Sequence, residues 1–226
     1  MPSNSVSRNI ENLLPSIRKR RAEIEQARRL PRDLAEALRK SGVFKLSVAR
    51  AIGGDEAPPT EIMQTIETVA TADGSAGWCT MIGLGNNIAS GYMQESGARE
   101  VFADPDAPLA GIAAPAGAAV RVDGGVTVTG RWPFASGITH CDWVWAGCLV
   151  MENGKPRMTP VGPEIIHTCM PVKDVVVHDT WHVSGLCGTG SNDFSATNVF
   201  VPNHRVFALL DPAGHRKEPL YQMPPL

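Results

Sequence analysis

Apolar residues recur at helical spacing along the first hundred residues and alternate with polar ones along the rest, and this switch divides the chain. Ile10, Leu13, Leu14 and Ile17 mark the inner stripe of a first helix. The charged run from Arg18 to Arg29 reads as a solvated helix face rather than a nucleic-acid patch. Pro31 suits the start of a second helix, with Leu34 and Leu38 inward and Gly42 as its stop. Phe44 to Val48 reads as extended and leads into a loop at Gly53-Gly54. Thr60 is placed to cap a third helix that buries Ile62, Ile66, Val69 and Ala70. Asp73-Gly74-Ser75 breaks the pattern. A fourth helix, Ala76 to about Tyr92, is apolar nearly all round and is expected to be buried, with Gly83 and Gly85 marking close packing. A fifth, Ser96 to Phe102, ends before Asp104-Pro105.

From Leu109 the period becomes two. Ala119 to Val122 and Val126 to Thr129 alternate around Asp123-Gly124-Gly125, a hairpin signal. Further strands are expected over Trp143 to Met151, about Ile165 to Met170, Val175 to His178 and Ala196 to Val201, with a turn at Glu152-Asn153-Gly154. The proline- and charge-rich tail, Asp211 to Leu226, reads as irregular. The expected fold is α+β: a helical domain over residues 1–108, then an antiparallel β-barrel or sandwich over 109–226.

Composition narrows the classes. The chain has 226 residues, 43% hydrophobic and 19% charged, with a net charge of −2, which gives no basic field for nucleic acid. It has neither a signal-type apolar segment at its start nor a run of about 18 apolar residues, so a soluble, cytoplasmic protein without membrane contact is expected. Five cysteines without a C-x-x-C pair suggest reduced, mostly buried thiols.

The stretch Gly130 to Trp143, GRWPFASGITHCDW, carries the most chemistry. An aromatic pair, Trp132 and Phe134, precedes the small residues Ala135, Ser136 and Gly137 between two strands. Aromatic faces beside a hydroxyl suit a flat polar ring system; the same pattern also reads as a tight turn over a hydrophobic core. His178, His182 and Cys187 lack any known metal spacing, and no metal is expected. G-x-S-x-G and G-x-G-x-x-G are absent, which leaves an elbow-type hydrolase and a Rossmann site without support. Gly188-Thr189-Gly190-Ser191 lacks a P-loop lysine, but its backbone N–H groups could meet a phosphate or a ring edge, or simply form a turn.

Asp179-Thr180-Trp181, then Gly188-Thr189-Gly190-Ser191-Asn192-Asp193, then Val199-Phe200-Val201-Pro202 resemble the second β-domain signature of the acyl-CoA dehydrogenase superfamily. The stretch from Gly130 to Gly137 with His140, Asp142 and Trp143 is similar to the branch made of two-component flavin-dependent aromatic hydroxylases, and Ala72 to Trp78 fits the same branch. The resemblance runs from about residue 10 to 222. Two departures stand out: Asn86 and Asn87 occupy the region where related hydroxylases often carry a histidine, and Cys187 stands where a basic residue is common.

The resemblance implies the oxygenase component of a flavin monooxygenase. Reduced FMN or FAD would arrive from a separate flavin reductase and, with O2, hydroxylate an aromatic or polycyclic substrate. It implies that Trp132, Phe134 and Ala135 pack on the flavin, that Ser136 hydrogen-bonds near its N5 and serves catalysis, and that Ala113 and Ala114 lie on a second flavin-contacting loop. Trp78 and Asn86 would line the substrate side. It also implies a homo-oligomer, a tetramer in the family, and a C-terminal four-helix domain beginning about where the chain stops at Leu226. A chain ending there is expected to bind flavin weakly and to self-associate. Two rivals remain: a dehydrogenase that oxidises an acyl thioester, and a non-catalytic fragment for binding or assembly.

Overall fold

The computed structural model describes residues 4–209 and 216–221. Its first hundred residues form α1 (Asn4–Lys19), α2 (Arg21–Ala27), α3 (Arg32–Lys40), α4 (Pro59–Ala72), α5 (Gly74–Asn87) and α6 (Glu95–Val101). Val6, Ile10 and Ile17 of α1 join Ile24, Leu34, Leu38 and Val69 in one buried cluster, as their helical spacing requires.

Local chemistry moves several boundaries from their expected places. α4 opens on Pro58 and Pro59, not on a Thr60 cap; a proline at the first helical position has no N–H to leave unpaired. Asp73 is more than an interruption: its backbone is extended and its carboxylate accepts from Ala76 N at 2.9 Å, capping α5. Phe44–Ser47 is a 3-10 turn rather than an extended segment, because it wraps onto α5. Ser47 Oγ donates to Leu84 O at 2.6 Å, and the Phe44 ring occupies the space that a Cβ on Gly83 would need. α5 stops at Asn87, short of Tyr92. The Asn87 amide nitrogen donates to the carbonyls of Phe44 and Ala107, and its oxygen accepts from Leu109 N, which ties the helix end to the first strand.

The strands are β1 (Leu109–Val122), β2 (Gly125–Ala135), β3 (Trp143–Glu152), β4 (Lys155–Pro156), β5 (Met158–Thr159), β6 (Gly162–Pro163), β7 (Ile165–Pro171), β8 (Val176–His178), β9 (Asn192–Pro202) and β10 (Val206–Phe207). The main sheet runs β10-β7-β3-β1-β2-β9-β8, with β4 on β3. The α+β class holds, with two corrections. β1 and β2 form the expected antiparallel hairpin, but β3 lies parallel to β1, Leu109 opposite Trp143, so the sheet is mixed. Among the described residues its end strands β10 and β8 do not pair, so no barrel closes. Alternation reports which face of a strand is buried and says nothing about its direction. Direction is set by the residues between β2 and β3, which carry the chain past the start of β1 to its other side.

A third cluster joins the two halves: Val48, Ile52, Met93, Val101 and Phe102 pack with Leu109, Trp145, Phe207 and Tyr221. Tyr221 belongs to the tail expected to be irregular. It is buried, its hydroxyl donates to Ser47 O at 3.2 Å, and Gly91 leaves room for its ring. The rest of that tail, apart from 216–221, lies outside the described residues. No described helix is long and apolar enough to cross a membrane.

Candidate functional site

The two signature loops meet. β2 ends at Ala135, paired with Asn192 of β9, and the chain turns through Ser136 and Gly137. Phe134 and Gly137 take left-handed backbone angles, φ 65° and 75°, and across from them Leu186 and Gly190 do the same. Gly137 N donates to Thr189 O at 2.9 Å, clamping one turn to the other. From the third side comes α5, whose Trp78 indole N–H donates to Ser136 Oγ at 2.9 Å. Ser136 Oγ lies 2.7 Å from Ser191 Oγ, Ser191 Oγ 2.7 Å from Thr189 Oγ1, and Thr189 Oγ1 donates to Leu186 O at 2.9 Å. All three hydroxyl residues are buried.

Around this polar thread the surface is apolar and open. Phe134 is 63% exposed, Leu186 43%, Trp78 40% and Val183 39%. Trp181 stands edge-on to Phe134 at 6.1 Å and donates its indole N–H to Leu186 O. On the same stretch of α5, a Cβ on Gly85 would meet nothing within 4 Å, and one on Gly74 would touch only Leu186. Asn86 is buried, and its Nδ2 has no hydrogen-bond partner among the described residues. Singly exposed apolar side chains are ordinary, but two indoles, a phenyl and a leucine beside buried hydroxyls make an apolar surface with a polar edge.

The remaining expected residues fall elsewhere. Trp132 is fully buried, stacked on Phe194 at 5.0 Å, with its indole N–H on Gly147 O at 2.8 Å. It is a core residue of the sheet and offers no free face, which corrects its assignment to a flavin ring. Period two decides the matter: on β2, Trp132 shares the inward face with Val126 and Val128, while Phe134 leaves that register through its positive φ. Ala113 and Ala114 are exposed on the irregular middle of β1, where their carbonyls crowd Gly147. His178 bonds Ser195 Oγ at 2.8 Å, and His182 lies beside Arg28. The sequence offers Gly188 to Ser191 as a backbone N–H site or a turn and as part of a signature, but assigns no role to the Thr189 or Ser191 hydroxyl. Their partnership with Ser136 depends on the β2–β9 register, which no local pattern encodes.

Behind the turn a cavity of about 470 Å³ is lined by Arg29, Arg32, Arg39, His140 and Asp142 among others. His140 is half-buried as a residue, yet its Nδ1 is enclosed without a partner among the described residues. Burial pushes its pKa from 6.5 down to about 4. The folded state therefore holds fewer protons than the unfolded state between those values. The stability given by neutral His140 is present above pH 6.5 and is lost as pH falls towards 4. The expected loss is about 1–2 kcal/mol, below the full shift because the residue is half-exposed. Urea unfolding of the wild type and of His140→Gln across this range checks it: the difference between the two should shrink with acidity, and a constant difference refutes it.

Residues 11–103 match the family model for the acyl-CoA dehydrogenase N-terminal domain. The chain is 35% identical over 223 residues to the flavin-dependent monooxygenase oxygenase subunit HsaA of Rhodococcus jostii, covering 95% of itself and 57% of that relative. It thus spans a little over half the length of such relatives. Its structure superposes on the crystal structure of 3-HSA hydroxylase from Rhodococcus sp. RHA1 with a TM-score of 0.90 at 32% identity, covering 99% of this chain and 60% of that one. It superposes on XiaF from Streptomyces sp., solved in complex with FADH2 and glycerol, with a TM-score of 0.82 at 31% identity, covering 90% and 50% of the two chains. By family model, sequence and fold together, residues 11–103 match the acyl-CoA dehydrogenase N-terminal domain, and most of the chain is homologous to flavin-dependent monooxygenase oxygenase subunits.

Proposed function

We propose that the chain supplies the helical and middle parts of the oxygenase component of a two-component flavin-dependent monooxygenase, with the domain boundary between residues 108 and 109. The observation that carries this reading is the Trp78 indole bonded to the buried Ser136 hydroxyl, beside exposed Phe134 against Trp181, whose indole N–H donates to Leu186 O. These residues suit a flavin: the exposed aromatic faces are flat and apolar, and the hydroxyl beside them can meet a polar ring edge. Reduced FMN or FAD, delivered by a separate reductase, supplies the O2 chemistry that hydroxylates an aromatic or polycyclic substrate.

The chain's own residues bind, orient and exclude water. Phe134 packs on the ring with Trp181 behind it, Ala135 and Ser136 meet its polar edge, and the exposed bulge at Ala113 and Ala114 offers a second contact. Trp78 and Asn86 face the substrate; the Asn86 Nδ2 has no partner among the described residues, and such a buried donor favours a ligand that carries an acceptor. The apolar run of α5 supplies one wall against water, which such chemistry must exclude because water promotes wasteful peroxide release. We place the working enzyme in the cytoplasm as a homo-oligomer.

The test is anaerobic titration of the full chain with reduced FMN and FAD, then aerobic turnover with a flavin reductase and a phenolic substrate. Binding of the reduced flavin with coupled hydroxylation supports the reading. Tightly held oxidised FAD with oxidation of an acyl thioester would support the dehydrogenase instead, and no binding of flavin in either state a binding or assembly role.

A further inference from the structure

We infer that Arg28, at the end of α2 in the helical half, is a positioning residue: it clasps the loop between β8 and β9 and so holds Trp181 against Phe134 on the surface assigned to the flavin. The inference rests on the flavin reading above and deepens it by naming the contact that sets one wall of the site.

What singles out Arg28 is its backbone. It follows α2 with φ 51° and ψ 30°, in the left-handed region, and its N–H donates to Glu25 O at 3.2 Å. Glycine ends a helix this way without strain, whereas the Cβ of arginine makes the conformation unfavourable. What arginine adds is its fork. Nη1 donates to Asp179 Oδ1 at 2.7 Å and Nη2 to Asp179 Oδ2 at 2.8 Å, a bidentate pair, and Nη1 also donates to Trp181 O at 3.0 Å. These bonds join residues 151 and 153 positions apart.

The same helix end meets the far side of the loop. A Cβ on Gly190 would stand 3.1 Å from Arg28 O, and one on Gly188 would stand 2.1 Å from Ile24 Cγ2. Between its two anchors the loop carries exposed Val183 and Leu186. Its first anchor holds Trp181, whose ring stands edge-on to Phe134 at 6.1 Å. Asn192 Oδ1 accepts from the N–H groups of Thr180 and Trp181 at 3.1 and 3.0 Å. The Trp181 backbone is thus fixed on its amide side by β9 and on its carbonyl side by Arg28. Without the fork the carbonyl side is released, and the indole is free to leave Phe134.

Magnitude separates this role from general stability. The Arg28 and Asp179 side chains are 33% and 65% exposed, and an ion pair so wet adds little to the folding free energy. Its effect falls on the loop. Arg28 and Asp179 touch no flavin in this scheme.

Arg28→Gly gives the test, because it relieves the left-handed backbone while it removes the fork. Its urea midpoint should match the wild type. Fluorine NMR of the full chain labelled with fluorotryptophan, without flavin, reads the loop, and Trp181→Phe identifies the Trp181 line. That line should shift in Arg28→Gly, while the lines of buried Trp132 and Trp145 stay in place. The dissociation constant of reduced FMN, from anaerobic titration, should rise roughly two- to tenfold, the weight of one aromatic edge contact. Asp179→Ala should give the same shift and the same rise, and the double variant no more than either. An unmoved Trp181 line in Arg28→Gly and Asp179→Ala overturns the inference, as does a moved line with unchanged affinity. A lowered midpoint with all the tryptophan lines displaced makes Arg28 a general structural residue and also overturns it. Failure of the wild type to bind reduced FMN removes the flavin reading and, with it, the assigned effect on affinity; the Trp181 line, read without flavin, separates that failure from failure of the clasp.

Discussion

Trp132→Ala is expected to lower the unfolding free energy by about 4–6 kcal/mol, close to the whole stability of many domains. The indole is fully buried and stacked on Phe194, and Gly117 and Gly130 are bare beneath it: a Cβ on either would lie within 3 Å of its ring. Truncation leaves a cavity that β1, β2 and β9 cannot close without giving up their register, and it strips Gly147 O of its 2.8 Å donor. Trp132→Phe keeps the stack and loses the N–H, so it should cost only about 1–2 kcal/mol. Urea unfolding of both variants separates packing from cofactor contact. A Trp132→Ala protein with the wild-type midpoint but no flavin binding would return the residue to the cofactor surface and refute its placement in the core.

The contrast between Trp132 and Phe134 shows where the sequence is legible. Both are aromatic residues in one motif, and only the pleat decides that one points inward. At Phe134 a positive φ breaks that pleat, and nothing in a phenylalanine announces it. The helical stripes of Ile10, Ile17, Leu34 and Leu38 and the turn at Asp123-Gly124 were readable because each arises from neighbours within a few residues. The parallel run of β3 beside β1, the burial of Tyr221 against Ser47 and the union of Ser136 with Ser191 join residues 31 to 174 positions apart. They are set by tertiary packing, which leaves no periodic trace. The pairing of the two signature loops was foreshadowed only by their order along the chain.

Gly188→Val is expected to cost about 2–3 kcal/mol and, unlike a general loss of stability, to abolish the order of the hydroxyl thread. Gly188 lies in the turn Cys187–Thr189 with φ outside the left-handed region, so its requirement is for space rather than for backbone freedom. A Cβ there would stand 2.1 Å from Ile24 Cγ2 and 3.0 Å from Ser75 Cβ. Ile24 is 1% exposed within the cluster of α1, α2 and α3, and Ser75 sits in the first turn of α5, so neither can retreat. The turn must lift instead. Ser191 then leaves Ser136, and the bond from Gly137 N to Thr189 O opens, so the turn that holds Ser136 shifts away from the Trp78 N–H. Gly185, in the same loop, has nothing within 4 Å of its hypothetical Cβ, and Gly185→Val should change stability by no more than about 0.5 kcal/mol. Urea midpoints together with the Trp78 indole resonance measure both consequences. If Gly188→Val matches Gly185→Val in both, the loop is not seated on α2 and α5 as described, and the glycine has another cause.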